Sequence, residues 1–98
     1  MASGKGAPAF VSCEVRVTNR NGIHVRPSTL IVQTANAYQA DIRILRGDHS
    51  ADAKSILDIL EMGVVCGEIL RIEAAGKHAS KAIRALEDLV KDRFGFED

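Results

Sequence analysis

The chain has few of the residues that mark several protein classes: no tryptophan, one tyrosine, three phenylalanines and only two cysteines among 98 residues. Two cysteines are too few for a disulfide framework, so Cys13 and Cys66 are predicted to be buried, reduced thiols. Thirteen basic residues balance thirteen acidic ones, which argues against the basic surface of a nucleic-acid-binding protein. No apolar run approaches the ~20 residues that span a membrane, and residues 1–10 lack the apolar core of a secretory signal. We therefore expect a cytoplasmic protein with no nucleic-acid or membrane partner.

Residues 1–10 are rich in Gly, Ala, Ser and Lys and are predicted to form a flexible leader. Residues 11–98 carry no compositional break and are predicted to form a single domain. Period-two alternation predicts strands over 12–18, 39–45, 49–53 and 68–74, and helical spacing predicts helices over 25–37, 55–62 and 79–91. The order β-α-β-β-α-β-α indicates an α+β fold with an antiparallel sheet and helices on one face.

The segment from Asn21 to Ser28 is the strongest candidate for chemistry. Gly22 favours a turn, and Pro27 suits the first turn of a helix, so His24 is predicted at or just before a helix N-terminus. That position favours an anion, and the guanidinium of Arg26 adds donors suited to phosphate oxygens. An imidazole base is also a competent nucleophile. The pattern predicts a histidine that holds a phosphoryl group; the alternative is that His24 only caps the helix and Arg26 is only a solvated cation.

A second segment of interest begins at Ser55, which is predicted to open the short helix. Asp58 follows three residues later, close to a capping box but with aspartate in place of glutamate or glutamine. Ser55 could be a cap alone or a site of phosphorylation, because a phosphate is tolerated at a helix start. The apolar side chains that follow could form an exposed docking patch or belong to the core; they are Ile56, Leu57 and Leu60.

No metal or other cofactor is predicted. His24, His49 and His78 are far apart in the sequence, and no pair of His or Cys residues has ligand spacing. The chain also lacks a glycine-rich nucleotide loop and a nucleophile elbow.

Taken together, the two segments resemble a known family. Gly22-Ile23-His24-Val25-Arg26-Pro27 is similar to the active-site signature of HPr, the histidine-containing phosphocarrier family of the bacterial phosphotransferase system. Lys54-Ser55-Ile56-Leu57 is similar to the regulatory serine segment of that family. The resemblance covers about residues 12–92 and implies an open-faced β-sandwich, in which three helices cover one side of a four-stranded antiparallel sheet.

The resemblance also implies a mechanism. Enzyme I, charged from phosphoenolpyruvate, would pass its phosphoryl group to Nδ1 of His24, and Arg26 would help to hold it. An enzyme IIA domain would then accept the group for sugar transport. Such a protein is a stoichiometric carrier with a phosphohistidine intermediate and not an enzyme, and we expect it to be a monomer.

The family further implies control and docking positions. Ser55 matches the serine that HPr kinase/phosphorylase modifies in many bacteria. Many members have glycine where Asp58 stands, and its carboxylate adds negative charge beside Ser55. The family's docking surface is matched by Pro27, Ile56, Leu57 and Leu60.

Two other functions are compatible with the sequence. A regulatory HPr paralogue, acting in a nitrogen-type phosphotransferase branch or in catabolite-control signalling, would use the same histidine chemistry with other partners. A non-phosphorylated interaction domain or RNA-binding α+β domain is disfavoured by the zero net charge and the few aromatic residues.

Overall fold

The computed structural model describes residues 10–96, where four strands and three helices follow the predicted order. The strands are β1 (Phe10–Arg16), β2 (Asp41–Arg46), β3 (His49–Asp52) and β4 (Ile69–Ala75). The helices are α1 (Val25–Asn36), α2 (Ile56–Glu61) and α3 (Ala79–Lys91), and a 3₁₀ turn at Arg93–Gly95 follows α3. None of the helices within residues 10–96 is long and apolar enough to cross a membrane.

The strands form one antiparallel sheet in the order β1-β4-β2-β3, which confirms the predicted sheet. Along β4, the buried side chains of Leu70, Ile72 and Ala74 alternate with more exposed neighbours, as expected when one face is covered. Helix α3 packs against β1 and β4, and α1 packs against both α2 and α3. The core therefore lies between the sheet and a single layer of helices.

The first strand begins two residues earlier than its predicted start at Ser12. Phe10 pairs with Ala75 because β4 also extends further than its own predicted end. The boundary placed after Phe10 is therefore wrong at that residue, and the remainder of the predicted leader, residues 1–9, lies outside the described part of the chain.

The predicted starts of two other strands are also wrong by one or two residues. β2 begins at Asp41 instead of Gln39, whose carbonyl instead accepts a hydrogen bond from the N–H of His78 at 3.2 Å. β4 begins at Ile69 instead of Glu68, because the Glu68 N–H donates to the Val65 carbonyl and the Glu68 carboxylate accepts from the Val65 N–H within the preceding turn. By contrast, the predicted bounds of α3 are confirmed.

The two cysteines differ from the prediction that both are buried. Cys66 is exposed in the turn before β4, whereas Cys13 is half-buried against the core on β1. Burial raises the pKa of the Cys13 thiol, and the carboxylate of Glu87 raises it further, while Lys91 acts in the opposite direction. Both thiols are unpaired, in agreement with the absence of a disulfide framework.

The chain after α3 makes a strained turn that the sequence patterns do not predict. Arg93 and Phe94 have φ of 54° and 58°, a left-handed conformation that costs roughly 1–2 kcal/mol for each non-glycine residue. Burial of the Phe94 ring offsets this strain, since a fully buried phenylalanine stabilises a fold by about 1.5–3 kcal/mol. Asp92 and Arg93 carbonyls accept hydrogen bonds from the N–H groups of Gly95 and Phe96 at 2.9 and 3.0 Å.

Candidate functional site

His24 is the N-cap residue of α1, which confirms its predicted position at the helix start. Its backbone is extended, with φ −98° and ψ −159°, and its carbonyl accepts the hydrogen bond from Ser28 N–H at 2.9 Å that begins the helix. The imidazole itself makes no capping hydrogen bond and is exposed. The side chain of His24 is therefore not engaged as a cap, and its ring is accessible to a reaction partner.

The first turn of α1 supplies N–H groups at the same place. Val25 and Arg26 are the first two helical residues, so their N–H groups have no acceptor within the helix. Within residues 10–96, neither group donates to another backbone or side-chain oxygen. Pro27 is the third helical residue, where its missing N–H removes no helical bond. Two donors and the positive end of the helix dipole therefore face the space around His24.

The loop that carries His24 is held by a close backbone approach at Gly22. Gly22 has φ +67°, and a Cβ there would overlap the Val64 carbonyl and lie 2.9 Å from Val65 Cα. The neighbouring Ile23 N–H donates to the same Val64 carbonyl at 3.0 Å. Only glycine combines this conformation with this contact, so the segment after α2 determines where the His24 loop lies.

Asn19 fastens the other side of the loop. Asn19 is 1% exposed, and its side-chain Nδ2 donates to the Gly22 carbonyl at 2.6 Å. Its backbone carbonyl accepts from Gly22 N–H at 3.1 Å. Asparagine is common in solvated turns, and nothing in the local pattern marks this one as buried.

Arg26 is exposed, and its guanidinium carbon lies over the Phe96 ring, 4.7 Å from the ring centroid. Phe96 lies far from Arg26 in sequence, and no motif connects the two residues. Both side chains and the His24 loop line one open depression of about 600 Å³. It is lined by Asn19, Asn21, Gly22, His24, Val25, Arg26, Pro27 and Phe96.

The four predicted docking residues differ widely in exposure. Leu57 is 68% exposed on α2, whereas Ile56 and Leu60 are half-buried and Pro27 is buried. Pro27 still lines the depression, so it shapes the site more than it extends the apolar surface. The docking role of all four residues stays a prediction.

Two exposed valines, neither of them among the predicted docking residues, lie at the depression or beside it. Val25 is 60% exposed and lines it, and Val65 is 58% exposed and approaches Gly22 through its backbone. Leu57 is also exposed, on the helix α2 that packs against α1.

Ser55 is the N-cap of α2, as predicted. Its Oγ accepts a hydrogen bond from Asp58 N–H at 3.3 Å, which is one half of a capping box. The other half is absent from the described bonds, because the Ser55 N–H donates to the Asp52 carbonyl and the Asp58 carboxylate accepts from the Asp52 N–H. The two carboxylates of Asp52 and Asp58 therefore lie on either side of Ser55 along the chain, and the half-buried serine is already engaged as a cap.

The other two histidines do not join His24. His49 is exposed on β3, and His78 precedes α3 as its N-cap residue. Neither lines the depression. Across residues 10–96, no group of three or more His, Cys, Asp or Glu side chains is arranged to hold a metal ion.

Comparison with known proteins finds phosphocarriers among the chains that this one is similar to. The family model described as "PTS HPr component phosphorylation site" matches residues 11–92. Phosphocarrier protein HPr of Treponema pallidum (strain Nichols) is 38% identical over 80 residues, which cover 82% of this chain and 91% of that protein. Multiphosphoryl transfer protein of Escherichia coli O157:H7 is 32% identical over 88 residues, or 87% of this chain and 23% of that protein. The crystal structure of HPr-C-His from Thermoanaerobacter tengcongensis matches with a TM-score of 0.86 at 34% identity, covering 90% of this chain and 99% of that one.

Proposed function

The chain belongs to the HPr family of the phosphotransferase system, and on that premise we propose that His24 takes a phosphoryl group from enzyme I and passes it to an enzyme IIA domain. The supporting observation is the exposed His24 ring at the start of α1, beside two unbonded N–H groups and the Arg26 guanidinium. These are the groups that a transferred phosphoryl needs: a nucleophile and donors for its oxygens. The protein would act as a monomeric, stoichiometric carrier in the cytoplasm.

In the proposed step, the lone pair on Nδ1 of neutral His24 attacks the phosphorus of phosphorylated enzyme I. The Nδ1–P bond forms as the bond from phosphorus to the donor breaks, and the donor keeps that electron pair. The N–H groups of Val25 and Arg26 and the Arg26 guanidinium would bind the phosphoryl oxygens. In the transfer to the IIA domain, a nucleophile of that domain attacks the phosphorus, and the Nδ1–P bond breaks with its electron pair returning to Nδ1. An open site at a helix end suits this exchange, because the cargo must also leave.

Exposed apolar side chains at the depression and on α2, the helix that packs against α1, support a docking surface for both partners. Val25, Leu57 and Val65 are more than half exposed, and large apolar side chains of this kind mark transient interfaces when they are grouped. Contact there would bring a partner's donor or acceptor group to His24 without an extensive interface.

The wild-type protein should acquire a phosphate that is acid-labile and base-stable when it is incubated with labelled phosphoenolpyruvate and enzyme I. No label on the intact chain would rule out the carrier function. Expression in a sugar-uptake strain that lacks its own carrier then separates transport from regulation. A protein that is labelled but does not restore uptake would favour the regulatory HPr paralogue.

At Ser55 we propose regulatory phosphorylation by HPr kinase/phosphorylase, and we expect it to be weak. The hydroxyl is engaged as a cap, and the carboxylates of Asp52 and Asp58 would repel an added phosphate. ATP-dependent, acid-stable labelling should therefore be slow in wild type, faster in Asp58→Asn and absent in Ser55→Ala.

Ser55→Ala should also cost about 1 kcal/mol of the free energy of unfolding through loss of the cap, which urea unfolding measures. Equal labelling rates in wild type and Asp58→Asn would show that the Asp58 charge is irrelevant to modification. Label that survives in Ser55→Ala would exclude Ser55 as the modified residue.

A further inference from the structure

Phe96 lies outside both family motifs, yet it is in contact with the proposed transfer site. Its ring lies under the Arg26 guanidinium and lines the same depression as His24. A guanidinium over an aromatic face is attracted by the negative potential of that face. The ring offers no conventional acceptor, so this contact holds Arg26 while its N–H donors remain available to oxygen atoms.

The chain before Phe96 brings the ring to this position. Arg93 and Phe94 adopt left-handed backbone conformations that residues with side chains rarely adopt. Phe94 is 3% exposed, so it anchors the strained turn in the core, and its ring centroid lies 6.5 Å from that of Phe96. The turn thus carries the chain from the end of α3 to the N-terminus of α1.

We propose that Phe96 is a positioning residue for phosphoryl transfer, which it assists by holding the Arg26 guanidinium beside His24. This inference rests on the function proposed for His24. An arginine side chain has many rotamers, and a free one must lose them when it binds a phosphoryl group. Contact with the ring restricts the Arg26 side chain before the phosphoryl group arrives. The side chain therefore loses less conformational entropy when it binds that group.

The direct test compares variants at Phe96 in the enzyme I reaction. Phe96→Leu keeps apolar bulk but removes the aromatic face, and it should lower kcat by about two- to fivefold with little change in KM. Phe96→Tyr keeps the aromatic face and should retain the wild-type rate. Phe10→Leu is the matched control, since Phe10 is an exposed phenylalanine on β1 away from the site; it should leave kcat unchanged.

A double-mutant cycle separates positioning from partner contact. In an Arg26→Ala background, Phe96→Leu should cause no further loss, because the ring then has no guanidinium to hold. The same loss in both backgrounds, or a rise in KM alone, would mean that Phe96 contacts the partner directly, and this would overturn the proposal.

A measurement without any phosphoryl donor tests the contact itself. In the wild-type protein, the NMR signal of the Arg26 Nε–H proton should be shifted upfield from the other arginines by the ring current of Phe96, and Phe96→Leu should remove the shift. No shift in wild type would overturn the proposal even where the leucine variant fails to fold. Absence of wild-type labelling would instead contradict the function of His24, whereas equal labelling rates of wild type and Phe96→Leu would contradict only the role of Phe96.

Discussion

Replacement of His24 with alanine is expected to abolish acid-labile phosphorylation by enzyme I. No other side chain that lines the depression carries a comparable nucleophile. The fold should survive, because the His24 ring makes no capping hydrogen bond and its carbonyl still accepts from Ser28. Loss of label, quantified after base treatment, would therefore report on the chemistry and not on unfolding.

The matched control for this substitution is His49→Ala. His49 is exposed on β3 and does not line the depression, so its removal should leave labelling at the wild-type level. In urea unfolding, both variants should stay within about 0.5 kcal/mol of the wild-type free energy. Label retained by His24→Ala, or lost from His49→Ala, would show that the phosphoryl group resides elsewhere.

Gly22→Ala is expected to destabilise the fold by about 2–5 kcal/mol and to reduce phosphorylation of His24. A left-handed alanine costs roughly 1–2 kcal/mol, and its methyl group would also press on the backbone of Val64 and Val65, which adds about 1–3 kcal/mol of overpacking. Relief of that contact must move the loop away from the segment that follows α2, and the position of His24 changes with it. Urea unfolding and the labelling rate measure the two effects.

Comparison with Gly47→Ala separates the steric part of this cost from the conformational part. Gly47 has a similar φ of +57°, but a Cβ there meets nothing within 4 Å. The control should therefore show only the conformational cost of about 1–2 kcal/mol and normal labelling of His24. If both alanine variants are equally destabilised, the approach between Gly22 and Val64 does not constrain the loop.

The agreement between sequence and structure is best where the determining interactions are local. The bounds of α3 follow from apolar spacing along one face, and the β2–β3 hairpin follows from two alternating runs around Gly47. The positions of His24 and Ser55 as N-caps follow in the same way from the residues beside them. Turn chemistry and side-chain period act over a few residues, so a single sequence contains them.

The predicted ends of the strands were less accurate, because a strand ends where its pairing with a neighbouring strand ends. Phe10 belongs to β1 only because β4 extends to Ala75. Glu68 lies outside β4 because its carboxylate accepts a hydrogen bond within the turn that precedes the strand. The prediction that both cysteines are buried was wrong at Cys66 for a related reason. Residue type alone favours burial of a thiol, but exposure is set by the path of the surrounding loop.

By itself, the sequence determined the element order, the one-sided sheet and the placement of His24 and Arg26 at a helix start, because these follow from local periodicity and turn residues. Only the tertiary structure decided how that site is completed. Val64 meets Gly22, buried Asn19 fastens the loop, and Phe96 reaches Arg26 from the other end of the chain. Such contacts join residues that are distant along the chain, and their energies depend on packing geometry that no local pattern records.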